Sequence, residues 1–162
     1  MTKPYFISEV SSNHGKSLQR CKEFIKVSSE IGCQAVKFQL FKIDKLFAPE
    51  VLLKSEEHRK RKKWELPVEF LPELSHYTHK LGMEFTCTPF YIEVVKELEP
   101  YVDFYKIASY ELLWDDLIIE CARTGKDLVL STGMATVNEI VHAVDIFRQN
   151  SNAKLTLLHA IS

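Results

Sequence analysis

The sequence predicts an α/β fold, a TIM-type (β/α)8 barrel of which about six βα units lie within the 162 residues. Short apolar runs alternate with amphipathic helical patterns along the chain, which indicates a parallel sheet with right-handed crossovers. The apolar runs are nearly continuous, as in strands that are covered on both faces. Polar or charged residues follow strand after strand, and a barrel builds its active site from such strand ends.

An open, doubly wound sheet is the competing architecture. Nucleotide-binding sheets of that kind carry a glycine-rich loop directly after a strand. No Gly-x-Gly-x-x-Gly or Walker loop follows any apolar run of this sequence, and this favours the barrel.

The elements follow in order from the hydrophobic pattern. Apolar runs predict six strands, at residues 5–10, 35–39, 84–88, 104–108, 128–131 and 155–160. Apolar residues at helical spacing predict five helices, at residues 18–31, 68–81, 92–98, 113–123 and 137–148. Three glycines stand where helices should end and are expected to be C-terminal caps, namely Gly32, Gly82 and Gly125.

Residues 40–67 are the least regular part of the chain. A connection of that length between a strand and a helix is unusual unless it has a function or its own secondary structure. We predict an active-site flap that contains a helix around residues 55–63. The basic run at residues 58–63 is flanked by acidic residues, and we interpret it as a solvated face.

Composition excludes several classes of protein. A hydrophobic content of 46% and a charged content of 27% are typical of a globular domain with its own core. The net charge of −1 argues against nucleic-acid binding or a polybasic membrane surface. The four cysteines show no Cys-x-x-Cys pair and no zinc spacing. With no signal-peptide pattern and no long apolar stretch, we expect reduced thiols and a cytoplasmic location.

Two lysines lie inside apolar runs, Lys37 in AVKFQ and Lys106 in FYKIAS. A buried ammonium group is costly unless an anion meets it. Two of them on separate strands predict a pocket for a strongly anionic small molecule, such as a phosphate ester or a phosphorylated carboxylic acid. The alternative is that each lysine reaches the surface or pairs with a carboxylate such as Glu9.

Six strings along the chain resemble the N-acetylneuraminate synthase family, the sialic acid synthases. They are ISEVSSNHG (7–15), AVKFQ (35–39), CTPF (87–90), KIASYE (106–111), LSTGMA (130–135) and LLHAIS (157–162). Six strings in the expected order are far more specific than one. The resemblance implies a partial synthase barrel domain over residues 1–162, with strands one to six present. It places the family's small C-terminal antifreeze-like domain outside this chain.

The resemblance also implies the site residues. Five correspond to the group that holds phosphoenolpyruvate by its phosphate and carboxylate, namely Lys37, Thr88, Lys106, Ser109 and Ser131. Glu9 corresponds to the glutamate that contacts the amino sugar. We expect Glu9, Lys37 and Lys106 to be catalytic, and Glu111 and Gln39 to complete the substrate-binding set. Two ammonium groups with several hydroxyl donors suit a ligand that carries close to three negative charges.

The implied reaction is carbon–carbon bond formation between phosphoenolpyruvate and N-acetylmannosamine or a related 2-acetamido sugar. The family uses a divalent metal, Mn²⁺ or Mg²⁺, to polarise the sugar aldehyde. Its histidine ligands lie on the seventh and eighth strands, so no metal ligand is assigned in this chain. A single histidine at a strand end, such as His159, is more often structural, and His14 has the alternative role of tying down its loop. The resemblance further implies a homodimer.

The chain departs from the family at Ser8, where alanine is common, and at Tyr110 and Leu112, where small or polar residues are usual. We expect these changes to affect the choice of sugar rather than phosphoenolpyruvate binding. Two alternatives stay open. One is a different phosphoenolpyruvate-condensing barrel that acts on a sugar phosphate, although no extra basic cluster at a strand end supplies a second phosphate site. The other is a truncated, catalytically inactive fragment that binds an anion or self-associates through unpaired strand edges.

Overall fold

The computed structural model describes residues 4–160. One parallel sheet contains six strands, whose spatial order follows their order along the chain. The strands are β1 (Ile7–Ser11), β2 (Ala35–Leu40), β3 (Glu84–Pro89), β4 (Phe104–Ile107), β5 (Asp127–Ser131) and β6 (Leu155–Leu158). A doubly wound sheet would reverse direction beside its first strand, whereas an unbroken order is that of a (β/α)8 barrel. The predicted fold class is confirmed.

Helices follow the strands and cover the outer side of the sheet. They are α1 (Leu18–Glu30), α2 (Ile43–Leu46), α3 (Pro49–Lys54), α4 (Glu56–Lys60), α5 (Leu71–Lys80), α6 (Val94–Leu98), α7 (Asp115–Arg123) and α8 (Val137–Asn150). The three predicted glycine caps are confirmed after α1, α5 and α7, where Gly32, Gly82 and Gly125 have φ of +84°, +74° and +74°. No helix in the described part of the chain is long and apolar enough to cross a membrane.

The two faces of the sheet differ in chemistry because alternate residues of a strand point to opposite sides. On the outer face, Phe38 and Phe85 are fully buried, with ring centroids 5.9 Å apart. Tyr105 is also fully buried there, and its hydroxyl donates to the Val95 carbonyl of α6 at 2.8 Å. The apolar core therefore lies between sheet and helices. The inner face is left to carry polar side chains.

Several predicted boundaries need correction. The first strand begins at Ile7 rather than at residue 5, and the sixth ends at Leu158 rather than at residue 160. The helix predicted for 68–81 begins with a 3-10 turn, Val68–Phe70, and becomes α-helical at Leu71. Pro67 and the proline at residue 72 explain this, since neither can donate a main-chain hydrogen bond. The last two residues of the predicted string at 157–162 lie outside the described residues.

The segment predicted at residues 40–67 begins at residue 41, because Leu40 ends β2. This segment, called the flap below, is more structured than the sequence predicts. The single helix expected at 55–63 is wrong in detail, because α4 ends at Lys60 and a 3-10 turn, Arg61–Trp64, follows it. Ser55 sets the start of α4, where its hydroxyl accepts the His58 N–H at 3.3 Å. Two helices that the pattern missed, α2 and α3, precede it. Lys62 Nζ lies 2.6 Å from a carboxylate oxygen of Asp44 and joins the two halves of the flap.

Both outer strands of the sheet are paired on one side only within the described residues, since β1 pairs with β2 and β6 with β5. Exposed apolar side chains stand next to these two edges, at Phe6 and Ile31 beside β1 and at Leu157 and Leu158 on β6. Unpaired edges of this kind are surfaces to which another polypeptide segment can add.

Candidate active site

The polar inner-face residues gather toward the carboxyl ends of the strands. The strand register places Glu9 opposite Lys37, and Gln39 opposite Thr88. Residues paired in this way point to the same face of a parallel sheet. Cys87 on β3 is paired with Tyr105 on β4. The next residues of these two strands, Thr88 and Lys106, are therefore neighbours on the inner face. The strands thus bring Lys37 and Lys106 to one end of the barrel, the carboxyl ends of the strands, which we call the mouth.

Lys37 is buried on β2, with 6% of its surface exposed. Its Nζ forms an ion pair with one carboxylate oxygen of Glu9 and donates to Thr88 Oγ1 at 3.4 Å. The other Glu9 oxygen accepts the main-chain N–H of Ser11 at 2.9 Å. The partnership with Glu9, which the sequence raised as an alternative to anion binding, is therefore present in this structure.

Lys106 on β4 is half-buried and forms no ion pair with a residue in the range 4–160. Its pKa is lowered to about 8, first by burial and then by the positive charge of Lys37, while Glu9 and Glu111 act in the opposite direction. A lowered lysine pKa means that the surroundings disfavour the ammonium form. An anion bound beside Lys106 would raise its pKa again and stabilise the ammonium form. Lys106 is therefore the lysine of the mouth that is available to bind an anion.

Glu111 lies in the 3-10 turn Ser109–Glu111, just after β4. Burial raises its pKa, while a main-chain hydrogen bond and the charge of Lys106 oppose the rise. Its Oε2 is buried and has no hydrogen-bond partner among the described residues. A carboxyl group in this setting is suited to hold a proton or to accept a hydrogen bond from a ligand.

The loops after β4 and β5 meet through Ser109, whose Oγ accepts the main-chain N–H of Gly133 at 3.2 Å. Gly133 has no room for a side chain, because a Cβ there would lie 2.4 Å from the Ala160 carbonyl oxygen and 2.8 Å from Ser109 Oγ. Ser131 is buried at the end of β5, opposite Leu158. Sequence reasoning selected both serines but missed the glycine that lets the loops approach.

Contacts in the structure join some of the predicted site residues more closely than others. Glu9, Lys37 and Thr88 touch, and Lys106 is coupled electrostatically to Lys37 and to Glu111. The register alone places Gln39 and Ser131 at this mouth. His159 is exposed just beyond β6 and has no part in these contacts.

His14 ties down its loop, in the structural role that the sequence offers as an alternative, because its Nδ1 accepts the Lys16 N–H at 3.0 Å. It is also fully buried, and its second ring nitrogen has no partner among the described residues. No signal in a single sequence separates such a histidine from an exposed loop residue.

The structure tests whether the residues present could hold the divalent metal that the resemblance implies. Between residues 4 and 160, no group of three histidine, cysteine, aspartate or glutamate side chains gathers in a way that could bind an ion. Divalent ions in enzymes need several such ligands. The described residues do not form that site, and we derive no step through a metal.

Two of the three departures from the family pattern, Ser8 and Leu112, point away from the mouth or form part of the core. Ser8 faces α1, where its hydroxyl lies 2.7 Å from Ser28 Oγ. Leu112 is buried in the core with 2% exposure, whereas Tyr110 is 82% exposed. Neither Ser8 nor Leu112 can contact a ligand between Lys37 and Lys106. The expectation that these two residues influence the choice of sugar is not supported by their positions.

We expect the Ser8→Ala substitution to be nearly silent. Ser28 keeps its other hydrogen bond, to the Phe24 carbonyl at 2.7 Å, so no buried hydroxyl loses its last partner. The free energy of unfolding, measured by urea denaturation, should fall by about 1 kcal/mol or less. Ligand affinity at the mouth should not change, and a tenfold change would show that β1 transmits structure from α1 to Glu9.

Fold and site together define a barrel-type α/β protein with a cationic pocket at the carboxyl ends of its strands. A family model described as the NeuB family matches residues 24–162. The chain belongs to the NeuB family, in agreement with the resemblance to sialic acid synthases seen in the sequence.

Two curated relatives illustrate the similarity. The pseudaminic acid synthase of Helicobacter pylori is 32% identical over 170 residues, which cover 98% of this chain and 50% of the relative. The N,N'-diacetyllegionaminic acid synthase of Campylobacter jejuni is 31% identical over 172 residues, with 98% and 52% covered. The chain spans about half the length of these relatives.

Among solved structures, the sialic acid synthetase of Leptospira borgpetersenii, in complex with citrate, is similar with a TM-score of 0.89 and 28% sequence identity. The similarity covers 99% of this chain and 55% of that one. The described six-stranded sheet therefore corresponds to part of a longer synthase.

Proposed function

We propose that this chain carries the phosphoenolpyruvate-binding part of a synthase that makes a sialic-acid-like nonulosonic acid. Phosphoenolpyruvate would condense with N-acetylmannosamine or a related 2-acetamido sugar, with release of phosphate. The observation that carries the proposal is the pair of lysines, Lys37 and Lys106, on adjacent levels of one inner face. Glu9 pairs with Lys37, and burial raises the pKa of the other nearby carboxyl group, Glu111, which favours its uncharged form. Lys106 has no ion pair among the described residues, so it can meet the charge of an anion.

The chemistry balances without a redox step. The C2–C3 π electrons of phosphoenolpyruvate form a bond from C3 to the aldehyde carbon, and the aldehyde oxygen takes up a proton. Water adds to the resulting C2 cation and gives up a proton. The C2 hydroxyl then gives up its proton as the bond between C2 and the phosphate oxygen breaks. C2 becomes a ketone, and the departing phosphate takes up that proton.

The residues of this chain would bind and orient the anion. Lys37 and Lys106 hold the phosphate and carboxylate throughout, because both groups keep negative charge until phosphate leaves. The hydroxyls of Thr88, Ser109 and Ser131 add hydrogen bonds to the same oxygens. Glu9, once an anion takes its place beside Lys37, is free to accept a hydrogen bond from the sugar or to handle its proton.

The relatives support the reaction class more than the acceptor. Those named above are synthases of pseudaminic acid and of N,N'-diacetyllegionaminic acid, and the similar structure is a sialic acid synthetase bound to citrate. All three names describe acidic sugars as products. We take N-acetylmannosamine as the first acceptor to test, with related acetamido sugars beside it.

Titration calorimetry with phosphoenolpyruvate tests the proposal, after light scattering has shown that the 162-residue chain is not aggregated. Pyruvate and inorganic phosphate are the matched comparators, since each carries one of the two anionic groups. We expect phosphoenolpyruvate to bind at least about tenfold more tightly than either. A folded chain that binds none of them, or that binds phosphate equally well, would contradict the proposal. Runs with and without Mn²⁺ show whether the metal contributes.

A turnover assay then separates condensation from binding. Phosphate release and keto-acid formation are measured with N-acetylmannosamine and with its 6-phosphate, so that a preference for a sugar phosphate becomes visible. The alternative to be separated is a half-site that binds the anion without turnover. Tight binding with no phosphate release would support that candidate, and the same light-scattering data report the homodimer that the resemblance implies.

Binding of phosphoenolpyruvate should weaken in alkaline solution. Lys106 has a pKa of about 8 in the ligand-free protein, and the anion binds its protonated form. Above that pH, binding must take up a proton, so affinity should fall about tenfold per pH unit. Between about pH 7 and 8 the dependence should be weak, because the phosphate is already ionised.

The matched variant for the pH series is Lys106→Arg, since arginine stays charged throughout. Its affinity is expected to be lower than that of the parent chain but flat up to about pH 10. Calorimetry at four pH values measures the phosphoenolpyruvate affinity of both proteins and shows whether Lys106 causes the pH dependence. An equal loss of affinity in both proteins would assign the titration to another group.

A further inference from the structure

The loop between β1 and α1 is held in an unusual conformation around His14. Ser11 and Lys16 are not glycines, yet they have φ of +53° and +56°. Backbone in this region is unfavourable for side-chain-bearing residues, and such positions persist where the surroundings hold them. Ser11 donates its main-chain N–H to Glu9, so this loop also holds the carboxylate that pairs with Lys37.

The side chain of His14, a residue of this loop, is fully buried. Its hydrogen bonding defines its tautomer. Nδ1 accepts the Lys16 N–H at 3.0 Å, so Nδ1 carries no proton and the neutral ring must carry it on Nε2. Burial lowers the pKa of His14, and the charges of Lys16 and Arg20 lower it further, which keeps the ring neutral. The Nε2–H group is thus a buried donor, and it has no partner of normal geometry among the described residues.

The flap supplies a main-chain acceptor close to the His14 ring. The main chain of Trp64 raises the pKa of His14 against the effect of burial, as a hydrogen-bond acceptor close to the ring does. Trp64 ends the 3-10 turn Arg61–Trp64, whose own Arg61 Nε is likewise buried and unpartnered. Buried donors without acceptors are uncommon in a settled structure. The Trp64 carbonyl is therefore the acceptor that we assign to Nε2.

We propose that His14 is a positioning residue that fastens the flap over the barrel mouth through its Nε2–H and the Trp64 carbonyl. The strained β1–α1 loop then links two events. An anion that draws Lys37 away from Glu9 loosens the Glu9–Ser11 bond, and the loop carries His14 with it. The fastening itself stands without any assumption about the ligand, whereas the link to the mouth rests on the proposed function.

Two conservative variants separate the roles of the two ring nitrogens. His14→Asn places its amide oxygen near Nδ1, so it keeps the acceptor for Lys16 and loses the distal donor. His14→Gln reaches as far as Nε2 and keeps a donor there. Hydrogen exchange is measured at two main-chain amides of the flap. The Ile43 N–H donates to Glu65 Oε1 at 2.7 Å, and the Glu65 N–H donates to the Lys62 carbonyl at 3.3 Å.

The Asn variant should exchange these flap amides about five- to tenfold faster than the parent, as expected for the loss of one hydrogen bond. The Gln variant should stay within about threefold of the parent, and the amides of α8 should not change in either. Equal behaviour of the two variants would overturn the proposal. So would faster exchange throughout the chain, because that would make His14 a general structural residue.

Fluorescence tests the link to the mouth. The chain has two tryptophans, so Trp114→Phe leaves Trp64 as the one reporter, placed in the flap. Saturating phosphoenolpyruvate should change its emission in the parent background and with His14→Gln, but not with His14→Asn. If calorimetry shows no binding in any variant, the proposed function fails, while hydrogen exchange still decides the fastening. Binding with an unchanged response in the Asn variant would remove His14 from the link.

Discussion

Replacing Lys106 with alanine should weaken phosphoenolpyruvate binding by about 100-fold, because the mouth loses an ammonium group that has no ion-paired carboxylate among residues 4–160. The expected loss, about 2 to 4 kcal/mol, is that of one preorganised donor to a developing or resident anion. Calorimetry of the variant measures it directly. In a full-length enzyme the same substitution should lower kcat/KM by a similar factor.

The control is Lys96→Ala, which removes an exposed lysine paired with Glu120 at 3.7 Å, far from the mouth in the helix layer. It keeps the net-charge change of Lys106→Ala and should leave affinity within about twofold, because exposed ion pairs contribute little. Equal losses in both variants would mean that overall charge, rather than this site, attracts the ligand.

Glu9 offers a second control on the same site. Its carboxylate competes with the ligand for Lys37, so Glu9→Gln should tighten phosphoenolpyruvate binding by several-fold while it abolishes sugar turnover. Combined with Lys37→Ala, the gain should disappear, since Lys37, the lysine that pairs with Glu9, is then absent. A gain that survives in the double variant would assign the effect of Glu9 to general electrostatics.

Gly133→Ala is the second large expected effect. The added methyl group would lie 2.4 Å from the Ala160 carbonyl oxygen and 2.8 Å from Ser109 Oγ, so main chain as well as side chain must move. Overpacking of this kind destabilises a fold by about 1 to 3 kcal/mol. It should also weaken phosphoenolpyruvate binding by at least tenfold, because Ser109 is displaced from the mouth. Urea denaturation and calorimetry measure the two effects separately.

The matched control is Gly125→Ala, at a glycine with φ of +74° and open space around it. Alanine in that conformation costs about 1 kcal/mol, which is near the lower end of the range for Gly133→Ala. The control should therefore lose stability without losing affinity. If both variants bind normally, the contact between the loops after β4 and β5 is not needed for the site.

Much of the fold could be predicted from the sequence because its signals are local. Near-continuous apolar runs mark strands that are buried on both faces, and the glycines after α1 and α7 mark helix ends that need a positive φ. The flap was harder. Its short helices depend on contacts between distant residues, such as Lys62 with Asp44, which no local pattern contains.

Some residues of the site could likewise be predicted from the sequence, whereas the positions of others could not. The strand-end lysines were visible because a charge inside an apolar run is anomalous wherever the strand lies. Ser8 and Leu112 were misjudged because their neighbours in sequence do not reveal which face they occupy. Ser8 meets Ser28 on α1, and Leu112 enters the core.

The sequence by itself determined the class of fold, the family and the residue types at the mouth, since periodicity and ordered motifs are properties of the chain alone. Only the tertiary structure decided which of these residues touch. It paired Lys37 with Glu9, left Lys106 with a lowered pKa, and buried His14 with a ring nitrogen that has no partner in the described part of the chain. Electrostatic coupling and hydrogen bonding depend on distance in space, and distance between strands is set by packing rather than by separation along the chain.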